Sequence, residues 1–178
     1  MSLAHALLTS LLEKSSSGYD LARRFDKSIG FFWRATHQQI YRELARMEEA
    51  GWIASQAAPD GGRTRKRLYR VLTAGREELR RWALAPSVVH QPRDELMVRL
   101  RADAVVGPLG LEDEIRQRMA RHAAQLEAYR TIEARDFPPD RALARDARLQ
   151  HLILKAGILH EQYWLEWTHE ALRTLAEG

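Results

Sequence analysis

The stretch from Thr36 to Thr73 constrains the fold most, because it joins a helix directly to the chain's one β-hairpin pattern. Thr36 followed three residues later by Gln39 fits a capping box, and Gly51 after Met47-Glu48-Glu49-Ala50 supplies a stop, so a helix is predicted over about 37–50. Beyond it, Trp52–Gln56 reads as a short strand, Pro59-Asp60-Gly61-Gly62 as a turn and Arg67–Leu72 as the returning strand.

That helix has two unlike sides. Ile40, Leu44 and Met47 fall on one stripe, which must face a core, because positions i, i+4 and i+7 share a side. The opposite side carries His37, Gln38, Tyr41, Arg42, Ala45 and Arg46, long hydrogen-bonding groups around one small residue. The hairpin tip and its second arm run Gly-Gly-Arg-Thr-Arg-Lys-Arg, which concentrates Arg63, Arg65, Lys66 and Arg67.

Two helices are expected ahead of this segment. Ser2 caps one that carries Leu3, Leu7, Leu8, Leu11 and Leu12 at helical spacing, and Ser17 with Asp20 begins a short second one presenting Leu21 and Phe25. Residues 28–35, with Gly30, Phe31, Phe32 and Trp33, read as a packed connection. After the hairpin, Thr73 is expected to cap a helix containing Leu79 and Trp82 and closing near Ala85.

From Pro86 the pattern is helical without strands. One helix is expected from Arg93 to Val106 and ends at Gly107-Pro108. A longer one, from Leu111 to about Arg135, places Leu111, Ile115, Met119, His122, Leu126 and Tyr129 along a coiled-coil seam. The prolines in Asp136-Phe-Pro-Pro-Asp140 break it. In the last helix Leu149, Leu152, Ala156, Leu159, Tyr163 and Trp167 form one apolar stripe, and Ile153, Trp164, Thr168, Leu172 and Leu175 form a second. One helix with two stripes needs two partners: the preceding helix, and by this reading a second subunit.

The charge follows the same division. Residues 1–85 hold fifteen Lys and Arg against nine Asp and Glu, whereas residues 86–178 hold thirteen against fifteen, so the first half is the candidate polyanion binder. The expected architecture is mainly α: a winged helix-turn-helix DNA-binding domain over 1–85 with a two-stranded β wing, then an α-helical antiparallel coiled-coil dimerisation domain over 86–178. Double-stranded DNA is the expected partner. In its major groove Gln38, Gln39 and Arg42 would read base edges, and Tyr41 and His37 would meet phosphate or bases. Thr36 and Arg46 complete the recognition set. Arg63, Arg65, Lys66 and Arg67 of the wing would contact phosphates or reach into the minor groove. Leu149, Leu152, Ile153, Ala156, Leu159, Tyr163, Trp164 and Trp167 are the expected dimerisation residues.

The strings Gly18-Tyr19-Asp20-Leu21, Phe32-Trp33, His37-Gln38-Gln39-Ile40-Tyr41-Arg42-Glu43-Leu44, Met47-Glu48-Glu49-Ala50-Gly51 and Leu72-Thr73-Ala74-Gly75-Arg76 resemble the PadR transcription regulators. The resemblance runs into the helical tail. Many PadR proteins place a proline after the tyrosine of the third helix; here Arg42 stands there, and the HQQIYREL string looks like the AphA-type branch of virulence-gene regulators. The resemblance implies a homodimer held by C-terminal helices, a partly palindromic operator, and DNA contacts from Tyr41 and the basic wing.

Other classes are weaker fits. The chain has no cysteine, which removes disulfides and thiolate metal sites. His160-Glu161 starts like a zinc-peptidase motif, but Trp164 occupies the position of its second histidine, and no nucleophile elbow, phosphate loop or dinucleotide fingerprint is present. No enzymatic activity, metal or cofactor is expected. With no basic leader and no long apolar run, the reading is a cytoplasmic protein without a membrane partner. Two alternatives stay open: a small-molecule effector pocket among Tyr163, Trp164 and Trp167 at the dimer interface, and a helical adaptor that binds protein through its tail.

Overall fold

Leu7, Leu8 and Leu11, at helical spacing on α1 (Leu3–Glu13), are almost completely buried, and the first half of the chain folds around them. A computed structural model describes residues 3–26, 35–57, 67–86, 94–140 and 142–177. Contacts divide the chain into two units, Met1–Val89 and His90–Gly178.

In the first unit, α2 (Gly18–Asp26) adds Leu21, Ala22 and Phe25 to the core and α3 (His37–Glu49) adds Ile40, Leu44 and Met47. Each of these side chains larger than alanine contributes about 1.5–3 kcal/mol by leaving water. The polar C-terminal end of α1 is closed by Arg24 of α2. Its guanidinium donates to the carbonyls of Ser10 at 2.6 Å and Lys14 at 2.8 Å and to Ser16 Oγ at 2.5 Å, which ties the last turn of α1 and the segment after it to α2.

The sheet has one strand more than the sequence reading expected. β1 (Ser16–Ser17) pairs with β3 (Arg67–Val71), which pairs in turn with β2 (Ile53–Ala57), giving an antiparallel order β1-β3-β2. Ile53 lies opposite Val71 and Ala57 opposite Arg67. Ser17, expected only as a cap, does both jobs: its hydroxyl accepts from the Asp20 N–H at 3.1 Å while its backbone lies in the strand.

α4 (Thr73–Leu84) begins one residue earlier than expected. Leu72 is its extended N-cap, without a side-chain cap, and Thr73 is the first helical residue rather than the capping one. Its docking on α1 includes a clasp around the buried His5: the ring stacks on Trp82 at 4.5 Å and pairs with Glu78 at 2.9 Å, and Arg81 donates to both oxygens of the same carboxylate.

The regular elements among the described residues of the second unit are all helices. α5 (Glu95–Val106) is capped by Asp94, whose Oδ1 accepts from the Leu96 N–H at 2.9 Å and whose carboxylate also receives Arg118 of α6 (Glu112–Asp136). α6 ends where Phe137-Pro138-Pro139 begins, and α7 (Arg145–Ala176) returns antiparallel to it. The pairs Glu133–His151 at 2.7 Å and His122–Glu161 at 2.5 Å fix that register. Ile115, Leu126 and Tyr129 of the expected seam are buried, and Leu111, Met119 and His122 are half-buried beside them. No helix among the described residues is long and apolar enough to cross a membrane.

Candidate nucleic-acid interface

The start and end of α3 are built by its own sequence. Thr36 Oγ1 accepts from the Gln39 N–H at 3.2 Å, and Gln39 Oε1 accepts from the Thr36 N–H at 2.8 Å. At the other end Gly51, with φ 70°, turns the chain so that its N–H reaches the Glu48 carbonyl at 3.0 Å and the Trp52 N–H reaches that of Met47 at 2.9 Å. This is a Schellman closure, and the left-handed residue in it favours glycine.

Between those ends the expected reading face is exposed. Gln38 and Arg42 point away from the core, and among the described residues no hydrogen bond or ion pair holds either. Their neighbours are more constrained. Gln39 spends its carbonyl oxygen on the cap, which leaves its amide N–H groups for a ligand. His37 Nε2 lies 2.9 Å from Asp26 Oδ2, and Arg46 donates through Nε and Nη2 to the Glu43 carboxylate. Tyr41 rests on the first turn of α2: a Cβ placed on Gly18 would stand only 2.6 Å from its Cε1, so the absence of a side chain at 18 creates the seat for the ring.

The wing is tied to the far end of α3 through Glu48, which sequence reasoning missed. Glu48 Oε1 accepts from the Ser55 hydroxyl at 2.6 Å, from the Ser55 N–H at 2.9 Å and from Arg67 Nη2 at 3.3 Å, so one carboxylate joins α3, β2 and β3. The Ser55 hydroxyl, with help from the Ser55 N–H and the Arg67 charge, holds this carboxyl below the usual range against a smaller opposing effect of burial. Nearby, burial and then the Glu48 charge raise the Tyr69 phenol. Of the basic residues expected on the wing, Arg67 is described and its side chain is 59% exposed, while Arg63, Arg65 and Lys66 lie outside the described residues.

In the second unit the expected dimerisation residues separate into two groups. Leu149, Leu152, Ile153, Ala156, Leu159 and Tyr163 form an exposed apolar stripe on α7, with Leu152 63% and Leu159 66% accessible. Trp164 and Trp167 are half-buried: Trp164 stacks on His122 at 5.2 Å and meets Trp167 edge-on at 5.3 Å. Among the described residues there is no group of three or more His, Asp or Glu suited to a metal ion.

Residues 7–81 match the family described as Transcriptional regulator PadR-like, and residues 92–176 match Virulence activator alpha C-term. The probable transcriptional regulator Rv1176c of Mycobacterium tuberculosis is 38% identical over 187 residues that cover 99% of each chain. The structure of the virulence activator AphA of Vibrio cholerae is similar with a TM-score of 0.82, 31% identity and 99% of each chain covered. PadR of Bacillus subtilis, in complex with operator DNA, superposes with a TM-score of 0.84 at 22% identity over 97% of each chain. The same protein has a structure in complex with p-coumaric acid, with a TM-score of 0.77 at 23% identity over 98% of each chain.

Proposed function

The chain belongs to the PadR-like family of transcriptional regulators, in its AphA-like branch, and from that premise we propose that it acts as a homodimer on a partly palindromic operator. In this reading residues 1–85 bind DNA and residues 86–178 dimerise. α3 enters the major groove, where Gln38, Gln39 and Arg42 address base edges and Tyr41 and His37 meet bases or backbone. The wing cations Arg63, Arg65, Lys66 and Arg67 hold phosphates. The work belongs to the cytoplasm, where DNA is accessible.

The observation that carries the reading is the conjunction on α3 of a fully buried Ile40–Leu44–Met47 stripe with an exposed Gln38–Arg42 face, closed at both ends by its own caps. Dimerisation is supported by the α7 stripe from Leu149 to Tyr163, because a row of exposed leucines on an otherwise packed hairpin is costly in water and self-complementary when two copies meet. Footprinting of the protein on its own promoter region, with the mass of the bound complex, tests this. Two protected half-sites about 10 base pairs or a multiple apart, occupied by two chains, are expected. A single unpaired site occupied by one chain would refute the dimeric reading.

A second reading adds an effector. It is favoured by the aromatic group His122, Trp164 and Trp167 next to Tyr163, and by the p-coumaric acid complex of the Bacillus subtilis relative. Small phenolic acids titrated into the protein should then quench tryptophan emission and weaken operator binding. An unchanged spectrum and unchanged affinity would remove it.

A further inference from the structure

We infer that Arg23 on α2 is a second DNA-backbone contact, gripping the phosphate wall along the α2 flank of α3. The inference rests on the proposed DNA-binding reading and extends it to a residue outside both the third helix and the wing.

α2 lies directly along the flank of α3. Gly18, without a Cβ, sits against the Tyr41 ring at one end, and Asp26 reaches His37 at 2.9 Å at the other. On the outward side of α2, Tyr19, Arg23 and Asp26 follow one another at i, i+4 and i+7, so they form a single stripe, and all three are exposed. This stripe therefore runs beside the exposed face of α3.

The charges along it are already sorted. Asp26, its one acid, is engaged by His37. Arg23 forms no ion pair among the described residues; instead its guanidinium lies 5.6 Å from the centroid of the Tyr19 ring. A cation held over an aromatic face keeps its N–H donors directed outward and avoids the cost of first breaking an acidic pair.

Groove dimensions supply the rest. The major groove is about 12 Å wide and a helix with side chains is about 10–12 Å across, so a helix placed in it leaves no room beside itself. Whatever packs on its flank must face the sugar-phosphate wall, which is where the first helix of such a pair crosses the backbone. Among the described residues of α2, the one so placed, positively charged and without an ion pair is Arg23.

The test is a titration of wild type, Arg23→Ala and Arg116→Ala onto a labelled promoter duplex and a scrambled duplex at several salt concentrations. Arg116 is an exposed cation of α6, and its removal changes net charge equally. Arg23→Ala should weaken both duplexes by the same factor, roughly fivefold, and make the slope of log affinity against log salt shallower by about 0.9, one phosphate contact. Arg116→Ala should match wild type. An unchanged slope for Arg23→Ala, an equal flattening by Arg116→Ala, or a selective loss on the promoter duplex overturns the backbone assignment and leaves the DNA-binding reading standing. Failure of wild type to bind either duplex overturns that reading, and this inference with it.

Discussion

Arg42 and Arg46 stand one turn apart on α3, yet only Arg46 is held by an acid, through its forked pair with Glu43. Arg42 is therefore the cation on that face free to pair with a base edge, and its loss should be read as sequence discrimination. Arg42→Ala is expected to cost about 1–3 kcal/mol on the operator and to narrow the gap to scrambled DNA, whereas Arg65→Ala should weaken all duplexes alike and flatten the salt slope. Anisotropy titrations on both duplexes separate the two, and equal losses of discrimination would end the proposed division of labour. Gly51 poses a stability question instead. Its φ of 70° is strained for any side chain while nothing lies within 4 Å of an added Cβ, so Gly51→Ala should lower unfolding free energy by about 1–2 kcal/mol purely through the backbone. Denaturant unfolding with an unchanged midpoint would show that the turn tolerates alanine. Both residues could be picked out in the sequence, since a helix stop and a polar face are local patterns. Glu48 and Gly18 could not: what each touches is brought to it by other elements.

At the level of elements, the helix stripes and the capping box at Thr36 were legible because a 3.6-residue period and a three-residue cap spacing are written in neighbouring positions. β1 was not, because two serines carry no strand pattern and become a strand only by pairing with Leu68 and Tyr69. Thr73 misled for a related reason. Leu72 continues the extended path of β3 and its N–H donates to the Trp52 carbonyl at 2.9 Å, so the helix starts immediately after it. The α1–α4 clasp was equally hidden, and it makes stability depend on pH. Hydrogen bonds from Arg81 and then His5 bring the Glu78 carboxyl down to about 2. A depressed carboxyl contributes its stabilisation above its unfolded value, near 4.3, and loses it as pH falls through its folded value. The melting temperature of wild type should therefore exceed that of Glu78→Gln by a constant margin above about pH 5, and the margin should shrink between about pH 4 and pH 2. A margin that stays flat across that window would contradict the clasp.

For the molecule as a whole, the prediction concerns α7. Replacing Leu152 and Leu159 together by glutamate places charges on a face that is already exposed in the single chain, so the α6–α7 hairpin should keep its helicity while the proposed dimer dissociates. Sedimentation should then report a monomer with an unchanged circular dichroism spectrum; a dimer that survives both charges would move the interface elsewhere. The two-stripe pattern that announced this face was visible in the sequence, but which stripe meets α6 was not. Gly157 against Tyr129 and Glu161 against His122 decide that, leaving the Leu149–Tyr163 side uncovered. Sequence-specific DNA binding by paired recognition helices can be read from anisotropy titration of purified protein onto its promoter duplex and a scrambled duplex, at about 50 and 200 mM salt. Promoter binding is expected to be tighter by at least about a hundredfold, with both affinities falling as salt rises. Equal affinity for the two duplexes, or binding indifferent to salt, would contradict it.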